Sequence, residues 1–280
     1  MTEISPSLIT FDGAVLNASL VMALAGPMAP GQVAQLGLGA PAAQQGIGLG
    51  EPIGQVSEAE GAVSVTHSDG IQAMLATGGQ IFQGDVLQTG SGANVSIIFV
   101  DDTVFSLDED GRMIMDEMVY DPDTQTGAFS AQVVKGVFSF VSGQVAKTSP
   151  DGMVINTPTA TIGIRGSTVA GDGNKITLVR DIDGNVGEII ISNAAGSLTL
   201  NSAGATTTVF SSTSAPSPVV ILSQAEIQQN YGNNLTKLIK VVSQKAKVDA
   251  QQADVKAKEI QAEAKQAEEV AQKADVDAAQ

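Results

Sequence analysis

The sequence predicts a mainly β chain of short strands that ends in a long helix, and three observations carry that prediction. Between Ile53 and Thr213, short apolar or alternating runs are separated by turn formers such as Ser68-Asp69-Gly70, Asp110-Gly111, Asp121-Pro122-Asp123 and Asp151-Gly152. Thirty glycines, set against eight phenylalanines, two tyrosines and no tryptophan, imply many turns around a core of Val, Ile, Leu and Ala. From residue 236 onward glycine, proline and aromatic residues vanish, and apolar positions recur at helical spacing. A sandwich, a roll or a solenoid fits the middle region, because periodicity alone does not separate them.

Taken in order, the pattern places strands at 61–67, 85–88, 95–100, 104–108, 113–118, 129–135, 137–141 and 153–155. Further strands follow at 161–164, 175–181, 187–192, 197–200 and 206–210. Residues 175–181 and 187–192 read as two arms of a hairpin, with Asp183-Gly184-Asn185 at its tip and Ile176, Leu178, Ile189 and Ile191 on the greasy faces.

Charge locates the boundaries. Residues 1–235 hold six basic and twenty-two acidic side chains, which is the whole net charge of −16, whereas 236–280 hold eight lysines and eight acids. Residues 1–52 are a third object, low in complexity and read as flexible, with Pro27, Pro30, Pro41 and Pro52 among Gly and Ala. Its apolar run near Ala14–Ala25 has only Glu3 and Asp12 ahead of it, so it does not read as a secretory signal, and it is too short to span a bilayer. The expected organisation is 1–52, a β domain over 53–213, a linker with a short helix over 214–234, and a helix over 235–280.

In the linker, Ser223 reads as an N-cap with Glu226 three residues on, and Gly232-Asn233-Asn234 reads as an interruption. Beyond it Leu235, Ile239, Val242, Ala246, Ala250, Ala253, Ala257, Ile260 and Ala264 form a heptad seam with one stutter. The seam fits a coiled coil or homo-oligomer through 235–280. It also fits a single solvated helix held by alanine propensity and pairs such as Asp254–Lys258. In either case the helix is expected to project from the β domain without packing into its core.

The most informative stretch is Val154 to Gly171. Thr157-Pro158 breaks the strand ladder, since proline has no N–H to donate. Ala160, Ile162 and Ile164 then point one way and Thr159, Thr161 and Gly163 the other. Arg165, between Gly163 and Gly166, reads as a turn anchor bonded to carbonyls or a carboxylate.

This run, Thr157-Pro158-Thr159-Ala160-Thr161-Ile162-Gly163-Ile164-Arg165-Gly166-Ser167, resembles the T-P-x-A-T-x-G-x-R-G-T signature of the FecR-like domain family. Ser167 stands where that family has Thr. Upstream, Gly61–Val65 resembles the family's opening strand, Gly84-Asp85 through Gly90 its G-D-x-I-x-T-G turn, and Gly136–Gly143 the strand before the signature. Ala93–Val104 is similar to V-x-I-x-F-x-D-G-S, but Asp101-Asp102-Thr103 lacks the glycine, which bears on the tightness of that turn. The resemblance implies a β-solenoid-like roll, a protein partner outside the cytoplasm (periplasm or cell surface), and structural roles for Gly84, Asp85, Thr157, Pro158, Ala160, Thr161, Gly163, Arg165 and Gly166.

Chemistry-bearing constellations are sparse. With no cysteine there is no disulfide framework, thiolate metal site or thiol nucleophile, and His67 is the single histidine. Asp101-Asp102, Asp108 with Asp110, and Asp121 with Asp123 sit among turn formers, where Asp caps backbone and stays solvated. The Asp181–Asn185 tip lacks the glutamate of a calcium loop, and Gly171-Asp172-Gly173-Asn174 lacks the lysine of a phosphate loop. No catalytic residue, metal or cofactor is therefore expected, and no binding residue is named. The acidic balance opposes nucleic acid and anionic lipid surfaces.

The expected function is a non-enzymatic, extracytoplasmic interaction or structural module, exported by a route without a cleaved signal, such as type I secretion. Better-known members of the family imply an alternative, regulation of an extracytoplasmic sigma factor, although residues 1–52 offer neither an anti-sigma segment nor a span. Asn193-Ala194-Ala195-Gly196 is similar to the processing site of retention modules in secreted adhesins, which makes such a module a further alternative.

Overall fold

The computed structural model describes residues 50–149 and 151–266 in full and the helix backbone on to 278. It also describes the backbone of two short strands, β1 (Ile9–Phe11) and β2 (Ala14–Leu16). These two pair antiparallel, Ile9 opposite Leu16, within a unit covering Met1–Gln44. The rest of the segment expected to be flexible lies outside the described residues, apart from 50–52.

The second unit, Gln45–Gln280, holds everything else. In chain order its elements are β3 (Gly54–Glu60), β4 (Val63–Thr66), β5 (Gln72–Met74), β6 (Gln80–Ile81), β7 (Val86–Thr89), β8 (Asn94–Phe99) and β9 (Val104–Leu107). Then come β10 (Arg112–Asp121), β11 (Thr126–Lys135), β12 (Phe138–Val141), the short helix α1 (Gln144–Thr148), β13 (Met153–Asn156) and β14 (Thr161–Arg165). β15 (Thr168–Gly171), β16 (Lys175–Val179), β17 (Glu188–Asn193), β18 (Gly196–Leu200), β19 (Ala205–Thr208), β20 (Val220–Ile221) and the long helix α2 (Gln224–Ala278) complete it.

Two open nine-stranded sheets result. The first has the order β18-β17-β14-β13-β11-β10-β7-β4-β5, and the second β20-β19-β16-β15-β12-β9-β8-β3-β6. The chain deals hairpins alternately to them: β13–β14 to the first, β15–β16 to the second, β17–β18 to the first, β19–β20 to the second. Alternation within each strand sends one face inward, so Leu87, Met113 and Ile162 of the first sheet share a core with Ile97, Phe105 and Phe138 of the second. The mainly β reading and the long C-terminal helix both stand.

Three differences from the sequence expectation are instructive. β16 and β17 do not form a hairpin. They lie in opposite sheets, and the 180–187 connection crosses between them, so Ile176 and Ile189 meet the core from opposite sides. Gly187 permits that crossing, because a Cβ there would lie 1.8 Å from the Gly166 carbonyl oxygen. Strands β3, β5, β6, β15 and β20 were not foreseen. β15 is buried at every position and β3 carries a bulge between Val56 and Glu58, so neither shows a period of two.

The third difference concerns the helix. It runs unbroken through Gly232-Asn233-Asn234, and its first half is not a projection. Ile227, Tyr231, Leu235, Leu238 and Val241 pack with Val104 and Ala170 into a second core on the outer face of the second sheet. That burial outweighs the roughly 1 kcal/mol a mid-helix glycine costs. From Ala246 to Gln266 every residue is exposed, so this stretch of the helix carries no tertiary packing. The expected capping box is present: the Ser223 hydroxyl accepts from the Glu226 N–H at 3.3 Å, and Glu226 accepts from the Ser223 N–H at 2.7 Å.

Candidate functional site: the signature turns and the helix-covered sheet face

The Thr157–Ala160 segment is the tight turn joining β13 to β14. Thr157 N–H donates to the Ala160 carbonyl at 2.8 Å, and Ala160 N–H returns to the Thr157 hydroxyl at 3.1 Å. A hydroxyl therefore stands where a turn carbonyl would, with Pro158 fixing φ at the next position. Thr159 ties this turn to the other sheet, donating to the Gly173 carbonyl at 3.2 Å, and Thr161 donates to Asn156 Oδ1 at 2.9 Å. Ile162 and Ile164 are fully buried, each between an apolar partner on β13 and one on β17. Gly163 has room for a side chain, with only the Ile190 carbonyl oxygen near, at 3.8 Å, so sterics do not require glycine there.

Arg165 donates to Glu188 Oε1 at 3.2 Å and Asp151 Oδ1 at 3.4 Å. Carboxylates hold it in the open: its side chain is 42% exposed and that of Asp151 91%. Gly166 takes φ 66, the left-handed region that glycine enters freely.

Gly84 and Asp85 close a second turn. Gly84 has φ 85 and Asp85 N–H donates to the Phe82 carbonyl at 3.2 Å, the pattern that needs glycine at the third position. The fully buried Asp85 carboxylate accepts from Phe82 N–H at 2.8 Å and lies 2.7 Å from His67 Nδ1. Burial pushes the Asp85 carboxyl above its usual range, while the Phe82 and His67 bonds pull it back. Sequence reasoning missed this His67–Asp85 pair, because nothing local links residues on opposite sides of two strands. Among the described residues no hydroxyl is bonded to the other ring nitrogen, so the pair is not extended into a triad.

The third turn, Asp101-Asp102-Thr103, departs from the family pattern and shows how the chain accommodates the departure. Buried Asp101 accepts from the Thr103 N–H at 3.0 Å and hydroxyl at 2.9 Å, and its carbonyl accepts from Gln144 N–H at 2.7 Å, tying the turn to α1. Desolvation raises the Asp101 carboxyl against these bonds. Asp102 adopts φ 71, so the conformation that favours glycine is kept without glycine, and its carboxylate meets Lys245 of α2 at 2.8 Å.

Asp121 and Asp183 cap their own turns, and Asp108 reaches the long helix. Asp121 Oδ1 accepts from Asp123 N–H at 2.9 Å, and Asp183 accepts from both the N–H and the side-chain amide of Asn185. Asp108 pairs with Lys237 at 3.3 Å. A cleft of about 670 Å³ beside Ile53, Gln83, Met118 and Tyr120 carries, among the described residues, one carboxylate, Glu51.

The helix-covered face is built with unusual regularity. Ser96, Ser106, Ser139, Ala170, Thr177 and Thr206 stand opposite one another, one per strand, on β8, β9, β12, β15, β16 and β19. All six are buried. Small side chains in a row make a trough into which a helix can settle, and α2 crosses it. The Tyr231 hydroxyl, its titration pushed up to about 12 by burial, accepts from Thr177 at 3.4 Å. Asn234 accepts from the Ser139 hydroxyl and donates to the Ser106 carbonyl at 3.4 Å. Lys237, Lys240 and Lys245 then pair with Asp108, Glu58 and Asp102 of the β domain. The signal was present in the sequence: an outward face of Ser, Ala and Thr lacks the charges of a solvated sheet.

With the three turns in place, the comparison with known families falls on the same residues. The family model described as FecR protein matches residues 85–187, from the buried aspartate of the second turn to the glycine that lets the chain cross between sheets. Over that span, somewhat more than a third of the chain, the sequence is similar to FecR protein. β3 to β6 and everything from β17 onward, including α2, lie wholly or almost wholly outside the matched span. No curated protein matches the sequence. Among solved structures, a cell surface anchoring domain is 33% identical over 22% of this chain and 83% of its own, with a TM-score of 0.22. Two crystal structures of a protein from Parabacteroides distasonis ATCC 8503, assigned as an anti-sigma factor, are each 11% identical over 51% of this chain. They give TM-scores of 0.39 and 0.37, and the similarity spans 62% and 63% of their own length. Among the described residues no helix is long and apolar enough to cross a membrane.

Proposed function

We propose that this chain is a non-enzymatic, extracytoplasmic interaction or structural module, a FecR domain that carries a helical arm. The observation behind this reading is that the signature side chains are engaged in turn bonds, while residues 246–266 of α2 extend unpacked. Residues 246–266, at 1.5 Å each, give an arm of about 30 Å within the described part alone. The alternate deal of hairpins to two sheets supports the solenoid-like roll that the family implies. The partner is a protein that meets the arm; exposed Val248, Val255 and Ile260 give it apolar footholds. Regulation of a sigma factor is the alternative that rests on the family.

The test is fractionation of the source cells combined with photo-crosslinking from position 255 of the full chain. An envelope or surface location with a discrete protein adduct is expected. Recovery in the cytosol, or equal adducts from a control probe at exposed Asp123, would refute the reading.

A second reading has one observation in its favour. Ala194 and Ala195 are the exposed two-residue tip between β17 and β18, where Asn193 pairs with Gly196. A retention module of a secreted adhesin would be cut there. Incubation of the folded chain with envelope extract, followed by mass determination, separates the readings, since cleavage between the two alanines is expected only for the second.

A further inference from the structure

The two ends of the sheet pair share a character. Among the described residues, one end leaves β5 and β6 as unpaired edges, the other β18 and β20. No charged residue lies between Asp69 and Asp85, the stretch containing β5 and β6, and none lies between Glu188 and Glu226, the stretch containing β18 and β20. Both edge stretches are thus free of the acids that give the chain its net charge of −16. Both ends expose apolar groups: Ile71 and Met74 at one, Phe210, Val220 and Ile221 at the other.

Natural sheets defend open edges with lysine, inward charges or proline within the strand, because unpaired N–H and C=O groups recruit further strands. Here β5, β6, β18 and β20 contain none of these. The nearest acids on β3 are already engaged, Glu58 with Lys240 and Glu60 with the Asn94 amide.

Strand direction identifies what each end fits. Following the pairings across the first sheet, with β11–β13 the one parallel step, β18 runs opposite to β5. A copy displaced along the sheet therefore brings its β5 to β18 as an antiparallel neighbour. In the second sheet the same displacement sets β6 beside β20 in parallel.

We propose that chains stack end to end in solution, the β18/β20 end of one copy against the β5/β6 end of the next. Both sheets then continue from copy to copy, and the contact is head-to-tail, so it extends into rows that do not stop at a dimer. The contact is independent of the helical arm and of the interaction-module reading, which survives its failure.

Sedimentation velocity of the full chain over a wide concentration range, with single-end variants, tests this. Met74→Lys blocks one end and Thr199→Lys the other, each at an exposed position. Wild type is expected to grow in mass beyond a dimer, each variant to stay monomeric, and an equimolar mixture of the two to form a one-to-one dimer and nothing larger. A monomeric wild type, a wild type that stops at dimer, or variants that still associate alone would each overturn the proposal. Ile71→Lys and Ile221→Lys repeat the test should either first variant lose its circular dichroism signature.

Discussion

Lys245 of α2 holds its ammonium 2.8 Å from the carboxylate of Asp102, the residue that stands at φ 71 where the family motif has glycine. The substitution that strains the β8–β9 turn also supplies the anchor for the last docked turn of the helix. Desolvation would lower the Lys245 titration, but its bonds to Asp102 and Asp249 prevail and raise it.

Asp102→Gly is therefore expected to relieve backbone strain of about 1 kcal/mol while releasing the helix near Lys245. Hydrogen exchange should show unchanged protection in β8 and β9 and faster exchange over 240–248. Asp102→Ala keeps the strain and loses the pair, so its melting temperature should fall below that of Asp102→Gly.

Ala170→Leu places a branched side chain in the trough beneath α2, where Ala170 is fully buried. Overpacking of this kind costs about 1–3 kcal/mol. Because the two sheets retain their own core, the expected result is release of 227–242 with the β signature intact, detected as protease sensitivity after Leu222. Global unfolding at the same temperature as wild type would contradict separate docking.

Asp85 and Asp101 are both raised by burial, which sets the sign of a pH effect. In the window above the unfolded carboxylate value the folded state binds more protons than the unfolded, so stability falls as pH rises through the folded values. Melting temperature should accordingly increase as pH is lowered through the raised folded values toward the ordinary carboxylate range. Asp85→Asn should flatten that slope in calorimetry, since the amide oxygen can still accept from Phe82 N–H.

Arg165→Lys is expected to cost less than about 1 kcal/mol, because ion pairs this exposed are screened and entropically expensive. Chemical denaturation should show a small change in midpoint and no change in slope. A loss of several kcal/mol would mean that the further contacts of this side chain carry the turn.

Much of the β domain was legible along the chain. The alternation that placed Ile162 and Ile164 inward is a local steric property of a pleated strand, and the turn formers at 84–85, 157–160 and 183–185 act within a few residues. The capping box at Ser223 and Glu226 is equally local. The His67–Asp85 pair, the crossing at Gly187 and the partner of Asp102 were not legible, since each depends on residues brought together from distant positions.

Local patterning along the chain settles that short strands form, where most of them turn, which faces are apolar, and that the tail is helical. Long-range packing places β16 and β17 in opposite sheets, carries the helix unbroken through Gly232, and sets its first half on a row of serine, alanine and threonine. The difference lies in the range of the interactions. Backbone sterics and capping act between near neighbours, whereas burial against a surface assembled from six strands exists only once those strands are side by side.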